Sequence, residues 1–257
     1  MNKNFSLLLL FCLLLTNCRN HKKGTIKYNA SQEFEVKLDS LKLFDKSRNR
    51  LIPVALYHST QLSKQRIVIF SHGYGENKGG DNLIYSYLTE NLASKGYFVA
   101  SIQHELPSDE LIPLTGIPQI VRKPFWDRGA DNILFVIQEL QKSNPELDFK
   151  NITLIGHSNG GDMTALFPQK YPNIVARIIT LDNRRMPLPR TNYPKVYSLR
   201  SSDFPADEGV LPTREEQAKY KIRIIKLNNT KHGEMDNNAN TEQRKEINNY
   251  IIDFLNN

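Results

Sequence analysis

Cysteine is almost missing from this chain. Of its 257 residues only Cys12 and Cys18 are cysteines, and both stand near the N-terminus. The stretch from Arg19 onward therefore has no internal disulfide and no cysteine nucleophile. Histidine is scarce too: there are six, and His72, His104, His157 and His232 are too scattered for a metal-ligand spacing. Gly79-Gly80 lacks the Lys-Ser/Thr of a phosphate loop. The formal charge is +7, but the basic residues form no stripe interleaved with aromatics, which argues against nucleic-acid binding. A weak attraction to anionic surfaces remains open. There are no repeats, and the length suits one α/β domain behind a leader.

The leader spans residues 1–17. Lys3 is its only charged side chain, and an apolar run follows from Phe5 to Leu15. That run is too short to cross a bilayer and matches a signal-peptide core. Leu15-Thr16-Asn17-Cys18 resembles a bacterial lipoprotein box. The resemblance implies lipidation at Cys18, a membrane anchor and a place in the cell envelope; secretion or a periplasmic location is the alternative. Residues 18–32 are polar and aperiodic, as a tether would be. The domain is expected over residues 33–257.

Glu33–Phe44 and Leu51–Tyr57 read as an antiparallel pair, and Pro53 suggests that the second strand lies at an edge. From Arg66 onward strands and helices mostly alternate, which argues for a parallel sheet covered on both faces. Glu105–Phe125 holds four prolines and reads as a long loop, the candidate wall or partial lid of a site. Residues 183–193 are too few for a separate cap domain.

The chain is organised around Asn151–Met163. Ile152, Leu154 and Ile155 suggest a buried strand. Gly156-His157-Ser158-Asn159-Gly160 fits G-x-S-x-G, the sharp strand-to-helix turn that lifts a serine hydroxyl above a sheet edge. A helix from Gly161 is expected to stop near Pro168. The plainer alternative is an ordinary β–α turn with Ser158 as a helix cap.

A serine needs a base to become a nucleophile. Only His232 follows Ser158 among the histidines, and it stands just past the final strand. The acid that orients it has three candidates. Asp203 lies beyond the strand Lys195–Leu199 and is placed first, Asp182 ends the strand before it, and Asp207 comes third. The oxyanion would rest on the backbone N–H of Asn159 and on that of Tyr74, in the loop His72-Gly73-Tyr74-Gly75. His72 is expected to brace that loop. Arg184 and Arg185 could meet an anionic substrate, but a paired arginine after a strand is more often solvated, so no substrate charge follows.

Four stretches carry a family resemblance, one of them Asp45–Tyr57, which looks like an opening hairpin. Val68–Gly75 resembles the oxyanion loop of α/β-hydrolases similar to platelet-activating-factor acetylhydrolases and bacterial dienelactone-hydrolase-like esterases. Leu92–Ala100 is similar to their helix-to-strand passage, and Gly156–Gly161 to their serine turn. The resemblance implies an α/β-hydrolase fold without a separate cap, and a serine esterase using Ser158, His232 and an aspartate on a small ester. No cofactor and no metal are implied. It does not settle the acid, because Leu181-Asp182 matches the acetylhydrolase pattern and Asp203 the position used in cutinase-like relatives. An amidase or peptidase on the same fold, or a non-catalytic ligand-binding lipoprotein, is the rival reading.

Overall fold

The computed structural model describes residues 32–257. The leader 1–17 and the lipidation candidate Cys18 lie outside the described residues. Eight strands form one sheet: β1 (Lys37–Asp45), β2 (Arg50–His58), β3 (Arg66–Ser71), β4 (Tyr97–Ile102), β5 (Asp148–His157), β6 (Arg177–Leu181), β7 (Lys195–Arg200) and β8 (Arg223–Lys226). Their order is β1-β2-β4-β3-β5-β6-β7-β8. β1 pairs antiparallel with β2, and β2 with β4; every other pairing is parallel. The helices are α1 (Ser86–Ser94), α2 (Pro118–Val121), α3 (Lys123–Ser143), α4 (Ser158–Lys170), α5 (Arg214–Tyr220) and α6 (Thr241–Asn256).

Alternation along the strands builds two cores. Ile67 and Ile69 of β3 join Ile133 and Val136 of α3 and Phe167 of α4 on one face. Val68 and Phe70 join Leu88 and Leu92 of α1 and Ile251 and Phe254 of α6 on the other. Side chains two apart on a strand share a face, so a doubly covered strand must be apolar at every position. The β3 residues Ile67–Phe70 are all buried.

The structure departs from the sequence reading at four places. β1 starts at Lys37, not Glu33, because Phe34 N–H is bonded to Ser94 O (2.8 Å) at the end of α1. β2 is internal, not an edge. Pro53 is tolerated there because its carbonyl accepts from Gln103 N–H (2.9 Å), just past the end of β4. The N and C=O of one residue point to the same side of a strand, so the missing N–H faces a ladder that is already ending. The stretch 105–125 is not all loop: it contains α2, and α3 begins at Lys123 with Pro124 in its first turn, where a missing N–H costs nothing. Finally, α4 runs through Pro168 to Lys170. A proline removes one helical bond, here the one to the Thr164 carbonyl, and the Gln169 side-chain amide donates to the Ala165 carbonyl in the same turn (3.1 Å).

Candidate active site

The turn after β5 is held open by what two glycines lack. A Cβ on Gly156 would lie 2.2 Å from Gly160 O, and a Cβ on Gly160 would lie 2.3 Å from Ser71 O. The helix start is thus pressed onto the end of β3, and no side chain fits between them. The tight turn puts Ser158 at φ 52°, a left-handed conformation that costs a non-glycine residue free energy. The serine side chain leaves the turn at the C-terminal edge of the sheet, at the first position of α4.

His232 reaches it from the far side of the sheet. It opens a short turn, His232–Glu234, after β8. Its Nε2 lies 2.9 Å from Ser158 Oγ and its Nδ1 lies 2.5 Å from Asp182 Oδ2. A carboxylate can only accept, so Nδ1 carries the ring proton and Nε2 presents a lone pair to the serine hydroxyl. That is the tautomer a general base requires.

Asp182 stands just past the end of β6, also at positive φ (52°), and is fully buried. Its Oδ1 accepts from Ser201 N–H (3.0 Å) and pairs with Arg200 (2.9 Å), and its Oδ2 also accepts from Ser201 Oγ (2.8 Å). Burial works against its charge. The His232 hydrogen bond, Arg200 and Ser201 together outweigh burial and hold the carboxyl at about 2.

This arrangement corrects the order of the acid candidates. Asp203 does not meet the imidazole ring; its Oδ1 accepts from the backbone N–H of His232 (2.9 Å). It fixes the loop that carries the ring. Asp207 is farther still, paired with Arg185 and accepting from Gln119 Nε2 (3.0 Å). The physical reason is backbone conformation. The left-handed turn at Asp182 directs its side chain to His232, whereas Asp203 has turned off β7 into the next loop.

The two N–H donors expected for an oxyanion belong to Asn159 and Tyr74. Asn159 is the second residue of α4, where a backbone N–H has no helical acceptor. Its side chain is fixed from two sides: Oδ1 accepts from Trp126 Nε1 (2.8 Å), and Nδ2 donates to Glu105 Oε1 (2.9 Å). Glu105 is buried, and burial raises its carboxyl above the usual range against the pull of His72 and Arg128. Tyr74 is half-buried, and its phenol oxygen accepts from Ile112 N–H (3.1 Å). His72 is buried: its Nε2 accepts from His104 N–H (3.0 Å), so its Nδ1 donates to Gly73 O (2.6 Å) and pins the loop.

Tyr85, Trp126, Glu105, Arg200 and Ser201 carry no cue in the sequence. None has a spacing rule that ties it to the serine turn, and each arrives by tertiary contact alone.

The arginine pair splits. Arg185 is paired with Asp207. Arg184 lies with its guanidinium carbon 4.1 Å from the centre of the Phe204 ring, and that ring meets the His232 ring edge-on at 6.2 Å. Arg184 is half-buried beside the site, so the expectation of a solvated pair is corrected. Among the described residues no group of three or more His, Cys, Asp or Glu side chains is placed to hold a metal ion.

An esterase structure from Rhizomucor miehei is similar with TM-score 0.60 and 12% identity, over 88% of this chain and 84% of that one. The dienelactone hydrolase of Anabaena variabilis is similar with TM-score 0.55 and 14% identity, over 84% of this chain and 95% of that one. A dienelactone hydrolase-like promiscuous phosphotriesterase from metagenomic libraries gives 0.62 and 14%, over 85% and 98%. The chain has the α/β-hydrolase fold. In sequence, residues 38–111 of this chain match the family described as platelet-activating factor acetylhydrolase, isoform II. That match runs from β1 into the loop after β4 and stops short of the serine turn. No curated protein matches the chain.

Proposed function

We propose that this α/β-hydrolase is a serine esterase that cleaves small carboxylic esters through an acyl-enzyme. The observation that carries the reading is the single imidazole that bridges Ser158 Oγ and the buried carboxylate of Asp182. Ser158 Oγ attacks the ester carbonyl carbon while His232 Nε2 takes the hydroxyl proton. The tetrahedral oxyanion rests on the N–H groups of Asn159 and Tyr74. The carbon–oxygen bond to the alcohol breaks, and His232 returns its proton to the leaving oxygen. Water, deprotonated by the same nitrogen, releases the acid and regenerates Ser158. Asp182 keeps the imidazole in its Nδ1–H form and stabilises the imidazolium. No step draws on a cofactor.

The test uses p-nitrophenyl esters of short acids and a fluorophosphonate probe. Hydrolysis and an adduct on Ser158, both lost in Ser158→Ala, are expected. Activity that survives Ser158→Ala ends the reading. We further propose that Cys18 carries a lipid that holds the domain at the cell envelope. Labelled fatty acid incorporated by the full chain and lost in Cys18→Ala checks this.

A further inference from the structure

The segment from Glu105 to Trp126 leaves the sheet just past β4 and ends in the first turn of α3. Its two ends meet on one side chain. Asn159 Nδ2 donates to Glu105 Oε1 (2.9 Å), and Asn159 Oδ1 accepts from Trp126 Nε1 (2.8 Å). All three residues are buried, so water does not compete for either bond.

The middle of this strap is bonded to the other side of the site. Ile112 N–H donates to the Tyr74 phenol (3.1 Å). Asn77, in the loop that follows Tyr74, donates its Nδ2 hydrogens to the carbonyls of Asp109 (2.9 Å) and Glu110 (3.2 Å). Glu105 also reaches that side: its Oε2 lies 3.7 Å from Nε2 of His72, whose Nδ1 pins Gly73 O. One strap therefore holds both residues whose backbone N–H groups are the expected oxyanion donors.

The bonds to Asn159 matter because of the residue before it. Ser158 is kept at φ 52°, and such a conformation persists only where its surroundings over-determine it. The peptide from Ser158 to Asn159 carries the N–H in question. Relaxation at Ser158 would turn that peptide and its N–H. Fixing the Asn159 side chain fixes the Cα at one end of the peptide and resists the turn. An amide suits this task, since one end donates and the other accepts. A leucine of similar volume would fill the space and hold nothing. Oxyanion donors are effective when they are in place before the charge develops.

We propose that, within the esterase reading on which this rests, the Asn159 amide is the clasp that closes the strap and aims the Asn159 N–H at the oxyanion, with Glu105 and Trp126 as positioning residues. Neither of the two touches substrate; both act through Asn159. Whatever displaces the strap then displaces an oxyanion donor.

The test measures hydrolysis of p-nitrophenyl butyrate and inhibition by 1,1,1-trifluoropentan-2-one. Ser158 Oγ adds to the carbonyl carbon of this ketone, its proton passes to His232, and the carbonyl oxygen becomes an oxyanion. Asn159→Leu, Trp126→Phe and Glu105→Leu should each lower kcat by about tenfold or more with KM within about twofold, and should weaken the ketone by a similar factor. Glu105→Gln keeps an acceptor oxygen and should retain most of the rate. The double variant Trp126→Phe with Asn159→Leu should lose no more than the worse single variant, because both break one clasp. Trp126 is the only tryptophan in the chain, so its emission reads the clasp directly and should shift in Asn159→Leu. Circular dichroism checks that each variant is folded. If Asn159→Leu does not fold, Trp126→Phe, which keeps a ring in the same place, decides by its kcat and KM. An active wild type with unchanged kcat in the variants, a change in KM alone, additive losses in the double variant or an unshifted emission overturns the proposal and leaves the esterase reading intact. A wild type inert to the ester and to the fluorophosphonate ends that reading and this proposal together.

Discussion

Tyr85 Oη lies 2.7 Å from Nδ1 of His157, the residue just before the serine. The same oxygen accepts the N–H of Gly73 at 3.0 Å. Its second bond, to His157, is donated by the phenol or by the ring according to the imidazole tautomer. One buried phenol thus ties the loop bearing Tyr74 to the turn bearing Ser158. Phe70 packs against its ring at 4.7 Å, so the oxygen has little freedom to move. Burial raises the phenol far above its ordinary value, which keeps it neutral.

Tyr85→Phe should therefore misalign the oxyanion donors without touching substrate. Two buried polar groups lose their partner, at a cost of about 1–3 kcal/mol in stability. The expected kinetic result is a kcat lower by about tenfold with KM nearly constant, the pattern of a lost transition-state interaction. Steady-state kinetics with a short p-nitrophenyl ester, beside urea unfolding, measures both. A KM-only effect would sink the idea.

The two strand-end aspartates make the second prediction. Asp182→Asn replaces the acceptor on Nδ1 with an amide that can hold the wrong tautomer, so kcat should fall by about a thousandfold or more. Asp203→Asn only weakens a bond to the His232 main chain, and kcat should fall by less than about tenfold. Equal losses in both variants would contradict the assignment of Asp182 to the imidazole.

How much of the site is legible in the amino-acid sequence depends on the kind of cue. Gly156 to Gly160 is local, and every part of the turn follows from five adjacent residues and the strand that leads into them. His232 is legible by order and scarcity. Asp182 and Asp203 are not separable this way, since both follow an apolar strand, and the left-handed backbone at Asp182 has no sequence mark. Tyr85, twelve residues from Gly73 and seventy-two from His157, meets them only because α1 docks on the sheet. Pro53 and Pro168 misled for one reason: a proline forbids one hydrogen bond, not an element. Where that bond falls at the end of a ladder or in the last turn of a helix, the chain continues.

Gly160→Ala tests the tightness of the turn. The new methyl would sit 2.3 Å from Ser71 O and 2.4 Å from His72 O, both backbone atoms that cannot rotate away. α4 must then lift from β3, and the overpacking cost should be about 3 kcal/mol or more. Thermal unfolding should show a clearly lower Tm or a failure to accumulate soluble protein. A variant with wild-type Tm would mean that the helix and strand are not in this contact.

The last prediction concerns acid. His157 is buried, and its imidazole is held down at about 3, first by burial and then by the positive charge His232 can carry. In the unfolded chain the same ring takes a proton near its ordinary value of 6.5. The folded state therefore binds this proton less well than the unfolded state, and stability must depend on pH between those two values. The contribution is fully present above about pH 6.5, and it is lost as pH falls toward about 3, because unfolding then takes up a proton. A shift of this size is worth on the order of a few kcal/mol. Urea midpoints measured from pH 7.5 to pH 4 should decline, and the decline should be shallower in His157→Gln, which cannot charge. Because His157 stays neutral at working pH, its titration should not add a limb to the rate profile above pH 5. Parallel slopes for wild type and His157→Gln across this range would show that the ring is not the group that titrates on unfolding.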